Sequence, residues 1–274
     1  MWSWLQLDWL MRISNDMPAS TLALWCSLVL VGATWFGIVF LKPFLRLWIR
    51  KQAGSNELIN YASAGFSLFY GLLLGLLTVA AYDNVTTVER NVEREVAAIS
   101  ALYSTMASFP EPTRGDVQQK LRDYTLYVVN KDWPAHARGE IYNGGGLRLN
   151  VIAETLARFE PDGRVQEVLQ EQALKHFDEL SDTRQVRLAG VRIAIPGVLW
   201  YVVAIGAFIN LLLIWLLDAR FVLHLIIGGI ISFFLGVIIF LVLAMDRPLQ
   251  GSVRVSDQPY RTMYDNVMMW DEGT

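Results

Sequence analysis

Residues 61–109 read YASAGFSLFYGLLLGLLTVAAYDNVTTVERNVEREVAAISALYSTMASF, and the fold turns on this stretch. From Ala62 to Tyr82 it carries no charged side chain. At Asp83 it becomes polar, with no Pro or Gly at the change to interrupt a helix. Val85, Val88, Val92, Val96, Ile99, Tyr103 and Met106 then recur at a mean spacing of 3.5 residues, the period of a seam between packed helices. The pattern predicts one helix that leaves the membrane and continues into water, where it packs against partner helices.

Composition supports this division. The 274 residues are 54% hydrophobic, which excludes an ordinary soluble domain. Residues 83–192 hold 14 of the 23 basic and 17 of the 26 acidic side chains, so the net charge of −3 arises within one insert. No basic excess points to a nucleic-acid surface. Cys26 is the single cysteine, so no intrachain disulfide forms; its apolar surroundings predict a buried filler.

Four segments are long enough to cross a hydrocarbon core of about 30 Å, which needs about 20 helical residues. They are Thr21–Leu41, Ala62–Tyr82, roughly Ile193–Leu217, and Phe221–Met245. The expected fold class is an all-α membrane protein, with four transmembrane helices in a 2+2 arrangement and a helical soluble insert between spans two and three. The implied boundaries are an N-terminal interfacial segment (1–20), a first hairpin (21–82), a soluble domain (83–192), a second hairpin (193–245) and a C-terminal tail (246–274). Trp2, Trp4 and Trp9 suit a short helix at the headgroup level rather than a signal peptide. Lys42, Arg46, Arg50 and Lys51 favour a cytoplasmic first loop, although Arg90, Arg94, Arg187, Arg192, Arg247 and Arg254 flank spans on the other side.

Within the insert, Pro110 and Pro112 predict the end of the long helix, and Thr113 to Asp116 resembles a capping box. Val117, Leu121, Tyr124 and Val128 outline a helix expected to stop before Trp133-Pro134. Asn143 to Gly146 reads as a flexible connector. Leu149, Ile152, Leu156 and Phe159 mark a short helix closed by Pro161-Asp162-Gly163. A long helix from Arg164 then runs into span three, with Val165, Leu169, Ala173, Phe177, Leu180, Leu188 and Val191 as its apolar side and a kink at Pro196-Gly197. In the tail, Ser252 to Ser256 has the makings of a short strand, confined by Pro248 and Pro259.

Enzymatic signatures are missing. The chain has no phosphate loop, GxSxG elbow or HExxH helix, and His136, His176 and His224 lack metal-ligand spacing. Glu89/Glu93 and Glu167/Glu171 share helix faces but lack the Glu-x-x-His of dimetal bundles, so they read as solvated faces. The expectation is a non-enzyme with no cofactor and no metal. The membrane segments say more. Ser63, Ser67, Gly71 and Gly75 recur every four residues, with Thr78 next along that side; such a ridge either lets backbones approach or lines a narrow wet path. Gly228, Gly229, Ser232 and Gly236 repeat the theme in span four. Asn210 fits interhelical bonding or pore lining, and Asp246-Arg247 fits a local ion pair or an ion-attracting mouth.

Several stretches carry a family resemblance: FYGLLLGLLTVAAYDNV, VEREVAAISALY with FPEP after it, LRDYTLYVVNKDWP, and MDRPLQGSVRVS. With the four spans, they make the chain from about residue 20 to 262 resemble the bestrophin-like domain proteins, a mostly bacterial group. By architecture, that group is similar to true bestrophins, which are oligomeric anion channels. The resemblance implies an integral protein of the bacterial inner membrane that self-associates into a homo-oligomeric channel, conducting anions, with span two nearest the axis. Two rival readings are kept. One is a non-conducting scaffold or sensor whose helical insert binds a partner protein. The other is a proton-channel subunit working with a separate carboxylate-bearing helix.

Overall fold

The computed structural model describes residues 18–44, 55–251 and 253–269. Among them every regular element is helical. In chain order they are α1 (Ala19–Phe36, extended by a π turn over Gly37–Leu41), α2 (Ser55–Met106), α3 (Thr113–Tyr127, with a π turn over Val128–Asp132) and α4 (Trp133–His136). Then come α5 (Gly144–Ala157), α6 (Arg164–Gly190), α7 (Gly197–Leu216), α8 (Phe221–Met245) and α9 (Gln258–Met263, with a π turn over Tyr264–Met268). Four helical stretches are long and apolar enough to cross a membrane: Ala19–Phe44, Asn56–Met106, Gly197–Leu216 and Phe221–Met245. The interfacial tryptophans, together with Arg46, Arg50 and Lys51, lie outside the described residues.

The chain divides into two compact units. The apolar unit comprises residues up to Asn84, Ala194–Asp246 and Gly251–Val253; the polar unit comprises Val85–Ile193, Arg247–Gln250 and the chain from Arg254. The 52 residues of α2 form one uninterrupted helix, as the unbroken periodicity predicts.

In the apolar unit, α1 and α8 pack at backbone distance. A Cβ at Gly236 would lie 2.5 Å from Ser27 Cα, and one at Gly228 would lie 3.2 Å from Thr34 Cγ2. The hydroxyls of Thr34 and Ser232 are hydrogen-bonded across this contact. The span-four ridge is thus spent inside the chain. One face of α2 (Tyr70, Leu74, Leu77, Ala81) packs with Val203 and Ala207 of α7 and Leu235 and Val242 of α8. Tyr70 donates its hydroxyl to the Val203 carbonyl at 2.8 Å, and its ring fills the space beside Gly206. Lys42, buried near the end of this first span, donates to His224 Nδ1 at 2.7 Å. The His224 Nε2–H in turn bonds the Ile214 carbonyl at 2.9 Å. Cys26 is half-buried rather than buried.

The polar unit is built on the expected seam. Val88, Val92, Ile99, Tyr103 and Met106 are buried against Val117, Leu121 and Tyr124 of α3, Leu149, Ile152 and Leu156 of α5, and Ala173 and Leu180 of α6. Val85 and Val96 sit at the margin of this core.

Several local expectations are corrected. The helical path does not stop before Trp133-Pro134. The π turn widens the coil ahead of Pro134, and this local change in the ladder accommodates the proline's ring and missing N–H within the continuous path. Asn143 to Gly146 is no flexible connector, because Gly144–Gly146 form the first turn of α5. The glycines serve close approach: a Cβ at Gly145 would crowd Asp132 and Arg184 at 3.1 and 3.3 Å. The capping box is absent. Thr113 already lies inside α3, and Glu111 instead accepts the Gly115 N–H at 3.1 Å.

Val165 is exposed rather than on the apolar side of α6. Span three begins at Gly197, not Ile193, and α6 ends at Gly190; Pro196, with φ −52° and ψ 130°, is extended and cannot continue a helix. Ser252 is outside the described residues. Its neighbours Val253 to Ser256 form no strand, and the Val255 N–H bonds the Pro248 carbonyl at 2.8 Å.

The α1–α8 contact generates a prediction. Gly236→Ala drives a methyl into the Ser27 backbone, which cannot move aside as a flexible side chain would, and overpacking of this kind costs about 1–3 kcal/mol. Thermal unfolding in detergent is expected to shift down by several degrees. An unchanged midpoint would refute the backbone contact.

Candidate functional site

The span-two ridge occupies a different environment from its span-four counterpart. Ser67, Gly71 and Gly75 are exposed, while Ser63 and Thr78 are half-buried. Cβ atoms built at Gly71 and Gly75 meet nothing within 4 Å. The neighbouring Leu68, Phe69, Leu72, Leu76 and Val79 point outward as well. Thr78 donates its hydroxyl to the Leu74 carbonyl one turn back, at 2.8 Å, so it needs no outside partner. Among the described residues, this α2 face, from Ser63 to Thr78, is therefore not consumed by packing.

The other candidates do not join the ridge. Asn210 is buried on α7. Asp246 is also buried and accepts the Ile195 N–H at 2.7 Å, which ties the end of α8 to the residues leading into α7. Arg247 donates to the Gln250 side chain at 3.2 Å. Glu89, Glu93, Glu167 and Glu171 are all exposed.

The polar unit holds a constellation absent from the sequence-based candidates. Glu95 of α2 and Arg187 of α6 are both fully buried and form an ion pair at 2.6 Å. Tyr124 of α3 donates to the same carboxylate at 2.7 Å. Arg187 Nη1 reaches His136 Nδ1 at 3.3 Å. Since a guanidinium only donates, Nδ1 is the acceptor, and a neutral ring carries its proton on Nε2. Arg187 Nη2 lies 3.6 Å from Asp132, which is also fully buried. Tyr260 closes the cluster, its ring edge-on to Trp133 at 5.5 Å. Its hydroxyl lies in the field of Glu95 without meeting hydrogen-bond geometry.

Burial and charge set the protonation states. Burial, followed by the positive fields of Arg187 and Arg184, pushes His136 down to about 3, so the ring is neutral at physiological pH. Burial raises the Asp132 carboxyl above its ordinary value, and Arg187 and Arg184 only partly oppose that. Burial and the Glu95 charge raise both tyrosine hydroxyls, which stay protonated.

A sequence signal for this cluster existed. Leu180, Arg184, Arg187 and Val191 follow at seam spacing, as do Val92, Glu95 and Ile99. Two arginines and a glutamate occupy positions that periodicity reserves for apolar residues.

The bestrophin-like domain family matches residues 22–260. No curated protein matches. Among solved structures, a bacterial bestrophin homolog from Klebsiella pneumoniae carrying a point mutation is similar with a TM-score of 0.67 at 11% identity, covering 92% of this chain and 99% of its own. A crystal structure of a membrane protein gives a TM-score of 0.67 at 12% identity, covering 92% and 99%. The Klebsiella homolog solved by zinc phasing gives 0.62 at 13% identity, covering 89% and 95%. At these identities the likeness is one of fold.

Two predictions follow from the buried cluster. Removing one partner strands a buried charge, so Arg187→Ala or Glu95→Ala is expected to cost about 3–5 kcal/mol in denaturant unfolding. A loss below about 1 kcal/mol would contradict the burial of the pair. The second concerns pH. Because the folded His136 value lies below the ordinary 6.5, its contribution is fully present above 6.5 and is lost as pH falls toward 3. The limiting slope is about 1.4 kcal/mol per pH unit. Asp132, with a raised value, acts oppositely and recovers stability as pH falls toward its ordinary 3.8. Asp132→Asn should therefore steepen the acid-side loss measured between pH 6.5 and 4. An identical profile in the variant would refute the assignment.

Proposed function

The chain belongs to the bestrophin-like family, and on that premise we propose that it is a homo-oligomeric ion channel of the bacterial inner membrane, conducting anions. In this reading residues 21–82 and 193–245 form two membrane hairpins flanking the helical insert 83–192, and α2 stands nearest the symmetry axis. The observation that carries it is the exposed ridge of Ser67, Gly71 and Gly75. Lipid has no requirement for small residues, whereas neighbouring copies of a helix need them to approach closely.

A ring of such ridges presents Ser63 and Ser67 hydroxyls and the backbone at Gly71 and Gly75 toward a shared narrow path. Hydroxyl and amide dipoles replace part of an ion's hydration there without a fixed charge to trap it. Asp and Glu are absent from Tyr61 to Tyr82, so nothing on this segment repels an anion. Asn210 and Asp246, both buried within the chain, serve interhelical packing.

Reconstitution into liposomes tests the reading. Purified protein is expected to carry an anion flux under a gradient. Gly71→Leu and Gly75→Leu should lower it about tenfold or more, or dissociate the oligomer, with no fall in protomer stability, because both sites are open. Absence of flux under every gradient and voltage would sink the proposal.

A further inference from the structure

We propose that the polar part of α2 docks on the same part of α2 in a neighbouring copy of this chain, through two charge stripes of opposite sign. The proposal rests on the homo-oligomeric reading above and adds to it the residues that set partner and register.

Glu89 and Glu93 form one stripe and Arg90 and Arg94 the other, and all four are exposed. The far side of the helix, with Val88, Asn91, Val92, Glu95 and Ile99, is buried. At about 100° per residue, the outward direction of α2 falls between the two stripes. Each copy therefore shows acid on one flank and base on the other. Like charges one turn apart repel, so such stripes disfavour a helix that stands alone. Arg90 and Glu93 are three residues apart, yet none of the four has an ion-pair or hydrogen-bond partner among the described residues.

Register selects the occupant. Glu89 and Glu93 lie five turns beyond Gly71 and Gly75 at about 3.6 residues per turn, on one uninterrupted helix. A copy seated on the open glycine ridge therefore runs on beside the charge stripes. Copies in one membrane share depth and direction, which brings the acidic flank of one level with the basic flank of the next. A peptide or a soluble protein has no such fixed height. Charges beside a helical seam set partner and orientation in this way. Each copy uses its acidic flank once and its basic flank once, so the contact runs head to tail and closes as a ring.

Shape agrees with charge. A groove of about 600 Å³ runs beside the acidic stripe, walled by Glu93, Ala97 and Ser100 of α2 and by Pro259, Met263 and Val267 of α9 and its π turn. It takes the aliphatic stem of Arg94 from the next copy, whose guanidinium then meets Glu93.

The test reverses the stripes in the full-length protein in detergent and reads oligomer mass by light scattering on dilution. Glu89→Arg with Glu93→Arg, or Arg90→Glu with Arg94→Glu, sets like charges face to face and should move the dissociation midpoint about tenfold or more toward protomers. All four reversals together should return it to within about twofold of the unmodified protein. The two double variants, co-expressed with different tags, should co-purify as mixed oligomers. If a reversal fails to fold, Glu89→Gln with Glu93→Gln decides: dissociation of the unmodified oligomer should be promoted by salt, and that salt sensitivity should fall in the variant. An oligomer indifferent to reversal, to neutralisation or to the restoring swap overturns this proposal alone. An unmodified protein that is monomeric at every concentration overturns the homo-oligomeric reading with it.

Discussion

The buried ion pair between Glu95 and Arg187 constrains the polar unit more than any other contact. Each charge alone would carry a desolvation penalty of several kcal/mol, so the two must meet and their remaining hydrogen-bonding groups must be answered. Tyr124 answers one carboxylate oxygen, while His136 and Asp132 face the far side of the guanidinium. These residues come from α2, α3, α4, α6 and the π turn before α4. The polar contacts thus specify which helices meet and at what height, a precision that the apolar seam does not supply. Seam residues such as Val92 and Ile99 tolerate a sliding neighbour; a buried glutamate does not.

The apolar unit solves its packing in another way. Water-driven burial is weak between helices in lipid, so close contact relies on small residues and on hydrogen bonds to backbone carbonyls. Gly236 against Ser27, Thr34 with Ser232, and Tyr70 to Val203 are of this kind. The ridge on α2 is built of the same small residue types as the ridge on α8 but has no partner among the described residues. This unequal use of two similar ridges gives the proposed oligomer its physical basis. The conclusion comes from where each ridge points, not from its composition.

The glycine-rich turn of α5 shows how local composition misleads. Three consecutive glycines read as a hinge because glycine has the freest backbone. In the fold they open a helix, and the absence of side chains lets Asp132, Arg184 and Tyr127 crowd around it. Between α6 and α7 the chain breaks fully, from Gly190 to Gly197, where the sequence suggested only a kink at Pro196-Gly197. Pro196 lacks the N–H a continuing helix would need, and the Asp246 carboxylate takes up the Ile195 N–H at that break.

The sequence by itself determined the four membrane-length helices, the passage of α2 from an apolar to a polar segment without interruption, the seam that forms the polar core, and the family. The first three depend on periodicity and run length, which are local properties of a chain; the family rests on the resemblance of particular stretches. The tertiary structure alone decided that Glu95, Asp132, Arg184 and Arg187 are interior, that the span-four ridge is internal while the span-two ridge is open among the described residues, and that the triple glycine lets Asp132 and Arg184 approach α5 closely. Each of these depends on which residue lies opposite, and opposing residues are separated by tens to about two hundred positions. A charged side chain at a seam position looks the same in sequence whether it faces water or a buried partner. Only the partner's place in the fold distinguishes the two.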